Sequence, residues 1–213
     1  AAAPPGKDEL LRPMEYLKTQ LAKSPVTVET GTEASAEILM LGDYDVVIIA
    51  TGAVQRDLAQ MDGDFSGHLI PAADVLMGEV DEFADPIAVV GGDVTGAETA
   101  HFLADRGHEV TIFEKREQIG ADMVPVARRF LLESLDDLDV RRITDAEVIA
   151  ARPGEVRAIV ETEEEIYDCG SVVYAVGWVP DDILACELRS SGLAVHIIGD
   201  ANGARHIQAA VYE

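Results

Sequence analysis

The stretch from Ile87 to Lys115, IAVVGGDVTGAETAHFLADRGHEVTIFEK, leaves this chain few folds to choose from. Ile87–Val90 is a short apolar run, as expected of a parallel strand covered on both faces. Gly91 and Gly92 supply a turn, and Ala97, Ala100, Phe102, Leu103 and Ala104 follow as the apolar positions of a helix. Gly107 ends that helix, and Val110–Phe113 makes a second strand that finishes on Glu114. Strand, glycine turn, helix and strand in this order form a βαβ unit with the layout of a dinucleotide-binding one. Gly91 and Gly96 hold the first and third places of the G-x-G-x-x-G fingerprint, and Asp93 stands in the second.

A glycine in that middle place lets backbone N–H groups at the helix N-terminus reach a pyrophosphate. An aspartate there is a good helix cap and suits the helix dipole, but its charge repels the same pyrophosphate. Two readings follow. Either the adjacent Gly92 lets the loop adjust and a nucleotide binds, or the unit is structural with a weakened site. Glu114 lies 23 positions past Gly91, where a carboxylate accepts hydrogen bonds from an adenosine ribose and favours NAD over NADP. Lys115 and Arg116 come directly after it and blur that preference.

The 213 residues, 48% apolar, suffice for one large or two small domains with a real core. No apolar run approaches the roughly 20 residues that cross a bilayer. No signal peptide is visible, and the start AAAPPGK, without methionine, reads as part of a longer protein. Cys169 and Cys186 form no C-x-x-C pair, so both are expected to be reduced and buried, in a cytoplasmic protein without a dithiol centre. Forty acidic residues against 16 basic ones give a formal charge of −24, with lysine only at positions 7, 18, 23 and 115. That balance argues against nucleic-acid and anionic-membrane partners, which need basic patches. It is the composition expected of a protein from a high-salt cytoplasm, the alternative being an ordinary acidic surface. The five histidines show no metal-ligand spacing, and His196 is expected to be a core residue. No nucleophile–base arrangement can be assembled by spacing, so no metal is expected and the catalytic residues stay unassigned.

Elsewhere the pattern predicts a helix over 8–23 that Pro13 starts late or kinks, a short strand over 26–30 and a short helix over 34–41. Residues 44–50 (YDVVIIA) read as a central parallel strand covered on both faces. A loop-rich connector over 55–85 follows. Beyond the βαβ unit the pattern predicts a helix over 121–135 with Pro125 in its first turn. Short strands are expected over 140–144, 148–151, 157–161 and 165–167, with a turn at Pro153-Gly154 and a hairpin tip over 161–165. Residues 171–175 and 194–198 read as two more buried strands, and 207–213 as the start of a helix. Three strands thus end in small residues: Ala50-Thr51-Gly52, Ala175-Val176-Gly177 and Gly199-Asp200. Ligands of open α/β sheets bind outside the carboxyl ends of strands, so the three together with the glycine turn point to a ligand edge.

Five segments in order carry a resemblance that spans essentially the whole chain: PPGKDELLRPMEYLKTQL, DYDVVIIATGAVQR, VVGGDVTGAETAHFLADRGHEVTIFEK, SVVYAVGWVPDD and VHIIGDANGARHIQAAVYE. The chain resembles flavoproteins with two dinucleotide-binding domains. More closely, it is similar to the C-terminal FAD/NAD-binding part of the NADH:flavin oxidoreductase group (2-enoate reductase, 2,4-dienoyl-CoA reductase, trimethylamine dehydrogenase). The resemblance implies an α/β fold in which a Rossmann-like NAD(P)-binding domain, 83–177, is inserted into a partial FAD-binding domain, 1–82 with 178–213. It implies that Gly91, Gly92, Gly96, Glu114, Val176 and Gly177 hold NAD(H), and that Thr51, Gly52, Gly199 and Asp200 line the FAD side. It further implies NAD(P)H-to-flavin electron transfer, with FMN and an iron–sulfur cluster in a missing N-terminal barrel that serves as partner within the same protein. No FAD fingerprint, barrel or cluster cysteines occur here, so the isolated fragment is expected to bind FAD poorly and to be inactive. The alternative is a non-catalytic nucleotide-binding or structural module, with Asp93 as its sign.

Overall fold

A computed structural model describes residues 4–213. In chain order the elements are α1 (Leu11–Ala22, entered by a 3-10 turn at Asp8–Leu10), α2 (Ala36–Leu41), β1 (Val46–Ile49), β2 (Ala53–Gln55), β3 (Leu69–Pro71) and α3 (Ala72–Met77). Then come β4 (Ile87–Val90), α4 (Val94–Ala104), β5 (Val110–Phe113), α5 (Pro125–Asp137), β6 (Arg141–Ile143), β7 (Ala146–Arg152), β8 (Glu155–Val160) and β9 (Glu163–Asp168). The chain finishes with β10 (Ser171–Tyr174), β11 (Trp178–Pro180), α6 (Ile183–Leu188), β12 (Ala194–Ile197) and α7 (Ile207–Tyr212). Two compact units result, one of residues up to Thr19 with Asp57–Gly177, the other of Gln20–Arg56 with Trp178–Glu213. The fold is α/β, with a Rossmann-like unit between the two flanks of a second unit.

The first unit is built on a five-stranded parallel sheet of order β3-β10-β4-β5-β6. Its strands alternate faces, as the two-residue strand period requires. Ile87, Val89, Ile112 and Val173 pack with Ala97, Ala100 and Leu103 of α4, Leu135 of α5 and Val75 of α3. Ala88, Val90, Phe113, Val172 and Tyr174 face the other way, onto Ala151, Val156 and Ala158 of the antiparallel meander β7-β8-β9. Both faces are therefore covered, which is why β4 and β10 are buried at every position. Burial pushes the Tyr174 hydroxyl and the Cys169 thiol above their usual values, and Tyr167 up to about 12.

The second unit holds a two-stranded parallel sheet, β1-β12, and an antiparallel pair, β2-β11. Its core is Val47 and Ile49 of β1 with Ala185 and Leu188 of α6 and Ala201.

Several sequence expectations are corrected. Residues 26–30 form no strand and lie exposed, because alternation makes a strand only where a neighbour offers its backbone. Strand β1 is covered on one face only: Val47 and Ile49 pack on Ala185, Leu188 and Ala201, while Val46 and Ile48 on the other face are exposed. Its partner β12 is likewise not buried; His196 points outward rather than into a core. The connector over 55–85 contains β3 and α3, and the contacts group 57–82 with the 83–177 sheet because β3 pairs with β10. Strand β11 and helix α6 lie where no element was expected. Cys169 is buried, but Cys186 is exposed on α6; both are free thiols. Pro13 falls in the first turn of α1 and Pro125 is the first residue of α5, positions where the missing N–H costs nothing.

Candidate functional site

The chain leaves β4 through α4 to reach β5 on one side, whereas β10 lies on the other. The carboxyl ends of β4 and β10 therefore flank a topological switch point, the place where open α/β sheets bind ligands. Gly91 sits there with φ +97°, and a Cβ on it would strike the carbonyl oxygen of Ala175. A Cβ on Gly96 would strike the Gly91 carbonyl oxygen, so this residue lets the start of α4 lie against the turn. A Cβ on Gly92 would come within 2.5 Å of Ile119 Cδ1 and 2.9 Å of Glu114 Cβ. The Gly91 N–H donates to the Phe113 carbonyl at 2.8 Å, and the Ala175 N–H to that of Val90 at 2.7 Å, which extends the ladder to the glycine turn. Val176 packs on the meander-side core, and Gly177 follows it, exposed, with φ +103°. The three glycines thus let β4, β10, the loop after β5 and the start of α4 approach one another closely at a helix N-terminus, which is the arrangement of a dinucleotide-binding turn.

Glu114 is buried at the end of β5, and its carboxylate is held on both oxygens. Oε2 accepts the Gly92 N–H at 2.6 Å, and Oε1 accepts the Arg116 N–H at 2.8 Å. One carboxylate thereby orders the glycine turn and the loop after β5. Asp93 is the N-cap residue of α4, but its side chain makes no capping hydrogen bond, contrary to its reading as a cap. Its buried Oδ1 makes no hydrogen bond either, and its charge is met by Arg116 Nη2 at 3.3 Å. The guanidinium also lies 3.3 Å from Glu114 Oε1 through Nε and 3.0 Å from Asp122 Oδ2 through Nη1. Asp122, the strongest of these partners, raises the guanidinium pKa further, and Arg116 in turn holds the Asp122 carboxyl below the ordinary range. Arg116 was legible in the sequence only as a charge next to Glu114; its grip on Asp93 and Asp122 depends on how the loop returns.

Glu98, on the second turn of α4, is buried and forms an ion pair with Lys7, a partner nothing in the sequence spacing reveals. Two positions past Gly96, a carboxylate could serve the helix N-terminus or face a nicotinamide; the structure gives this one a cation.

The three strand ends divide between two sheets, with β10 in the five-stranded one and β1 and β12 in the other. Thr51-Gly52 and Gly199-Asp200 follow the neighbouring parallel strands β1 and β12, whose register pairs Ile49 with Ile197. The Thr51 hydroxyl donates to the Asp181 carbonyl, and the Asp181 N–H donates back to Gly52 at 3.0 Å. Asp200 Oδ1 accepts the Arg205 N–H at 3.3 Å, and the Gly199 N–H donates to Glu213 at 2.8 Å. Arg205 pairs with Glu213 and keeps its carboxyl below the usual range. Among the described residues no cluster of three or more His, Cys, Asp or Glu could hold a metal ion, and no helix is long and apolar enough to cross a membrane.

Residues 15–210 match the family described as pyridine nucleotide-disulphide oxidoreductase. A bilirubin reductase of Mediterraneibacter gnavus is 32% identical over 95% of this chain and 31% of its own length. An NADH oxidase of Thermoanaerobacter brockii is 33% identical over 94% of the chain and 32% of its own. The chain thus spans about a third of the length of these relatives. Among solved structures, a 2-naphthoyl-CoA reductase has the same fold, with a TM-score of 0.90 at 24% identity over 99% of this chain and 32% of that one. Histamine dehydrogenase from Rhizobium sp. 4-9 follows with a TM-score of 0.85 at 22% identity over 98% of the chain and 36% of its own. With its glycine turn at a switch point, its buried strand-end glutamate and this match over most of its length, the chain belongs to the pyridine nucleotide-disulphide oxidoreductase family and is similar within it to the FAD/NAD-binding part of the NADH:flavin oxidoreductase group.

Proposed function

We propose that this chain is the NAD(P)H-to-flavin electron-transfer module of an enoate-reductase-like oxidoreductase, holding NAD(H) on the 57–177 unit and part of FAD on the other. The observation that carries this reading is the tight glycine turn of Gly91 and Gly96 against Ala175 at the switch point, beside the buried Glu114. When bound, a nicotinamide dinucleotide supplies a hydride and a flavin accepts it. The chain's own residues bind and orient: α4 turns its N-terminus to the pyrophosphate, Glu114 fixes the turn and faces the ribose, and Val176-Gly177 border the site. The Lys7–Glu98 pair keeps a buried carboxylate compensated beside it.

On the FAD side, Gly52 and Asp200 are placed at neighbouring strand ends, where a carboxylate can accept from a ribityl hydroxyl. Strands β1 and β12 make a parallel pair with no third strand among the described residues, and Val46 and Ile48 lie exposed. Parallel sheets need cover on both faces, so this pair suits a larger FAD-binding sheet completed by further chain of the same protein. FMN and an iron–sulfur cluster, if the whole protein has them, belong to that further chain, as does the reduction of the organic substrate. We place the protein in a high-salt cytoplasm on its acid excess alone.

Arg116, shared among Asp93, Glu114 and Asp122, meets only part of the Asp93 charge, which weakens the non-catalytic alternative without removing the repulsion. Calorimetric titration with NADH in high salt tests the reading. A dissociation constant below about 1 mM, near −4 kcal/mol, is expected, and no binding overturns it. Asp93→Gly removes the carboxylate nearest the pyrophosphate place and is expected to tighten NADH several-fold. Unchanged or weaker affinity counts against the charge argument.

A further inference from the structure

An arginine close to the end of the second strand of a dinucleotide-binding βαβ unit ordinarily receives an adenosine 2′-phosphate. Arg116 is in that place, two residues past Glu114, but three carboxylates surround it: Nε donates to Glu114, Nη1 donates to Asp122, and Nη2 lies 3.3 Å from Asp93 Oδ1 without a hydrogen bond. Three carboxylates against one guanidinium leave two negative charges at the spot. A phosphate approaching this guanidinium meets the charge of the surrounding carboxylates, and the Asp122 bond holds Nη1 away from it.

The loop that delivers Asp122 is itself tied down. The Gly120 N–H donates to the Gly92 carbonyl at 2.7 Å, the Met123 N–H donates to Gly120 at 3.0 Å, and Arg128 Nε donates to the Ile119 carbonyl at 2.7 Å. Ile119 is buried in the helix-side core, so Asp122 is presented by an anchored segment. From these contacts we infer that Asp122, by holding Arg116, is a specificity-determining residue that makes the site select NAD(H) against NADP(H). This inference rests on the nucleotide-binding reading above. Glu114 still meets the ribose hydroxyls; Asp122 adds a hold on Arg116, the guanidinium placed to welcome a 2′-phosphate.

The test is calorimetric titration of the full chain with NAD+ and NADP+ separately at fixed ionic strength, for the unaltered protein, Asp122→Ala, Asp122→Asn and the double substitution Asp122→Ala/Arg116→Ala. The unaltered protein is expected to bind NAD+ at least about tenfold tighter than NADP+. Asp122→Ala and Asp122→Asn are expected to narrow that ratio by about fivefold or more, chiefly by tightening NADP+, and the double substitution to lose the gain, since the freed guanidinium makes the charged hydrogen bond. An unchanged ratio in both Asp122 variants with NAD+ still bound overturns the inference and leaves the nucleotide reading intact. So does a gain that survives loss of Arg116, or equal binding of the two nucleotides by the unaltered protein. Failure of the unaltered protein to bind either nucleotide overturns both.

Discussion

Asp93 and Arg116 show how one side chain changes the meaning of another. Taken alone, an aspartate in the middle of a glycine fingerprint blocks a phosphate; paired at 3.3 Å with a guanidinium it becomes part of a charge cluster that also holds Glu114 and Asp122. The cluster has a pH signature. Arg116 depresses the Asp122 carboxyl, so the stabilisation from this pair is present above the unfolded value near pH 3.9 and is lost as pH falls through the lower folded value. An NMR titration of the Asp122 carboxyl carbon is expected to give a midpoint below about 3.9, returning toward it in Arg116→Ala. A midpoint at the ordinary value in the unaltered protein would mean that the pair does not persist in solution. Gly91, Gly96 and Glu114 were legible in the sequence because their roles follow from spacing along one βαβ unit. Lys7 was not, because its pairing with Glu98 joins positions 91 apart and leaves no local pattern.

Among the elements, those with strong local patterns formed as expected: β4, α4, β5, α5 and β10 bury apolar residues at the strand and helix periods that the sequence displays. Strand β3 and helix α3 hide in a connector punctuated by Gly63, Gly67 and Pro71, because three residues of strand carry too little pattern to announce themselves. Helix α4 is the element on which the site depends, since its N-terminus lies against the glycine turn and its length is gripped by the sheet. Leu103 is fully buried between α4 and the helix-side face. Leu103→Ala should cost about 2–5 kcal/mol in urea unfolding, through lost burial and the cavity left behind. A loss below about 1 kcal/mol would mean that the core relaxes around the gap.

For the whole molecule, charge dominates. With 40 acids to 16 bases, pairing cannot neutralise the surface even though cations from Lys7 to Arg205 are engaged in ion pairs. Salt shortens the Debye length from about 10 Å at 0.1 M to a few ångströms at molar concentration and so relieves this repulsion. The melting temperature is expected to rise between about 0.1 M and about 3 M salt. No rise in a thermal melt would return the surface to an ordinary acidic one. The sequence by itself determined the α/β class, the βαβ unit and the residues of the glycine turn, because period, glycine spacing and strand-end acid are local properties of the chain. Only the tertiary structure decided that β3 of the connector joins the β10 edge of the large sheet, that Asp93 is answered by Arg116 rather than capping its helix, and that Asp122 completes the cluster. Those facts depend on strand order and loop return, which bring together residues whose separation along the chain carries no signal.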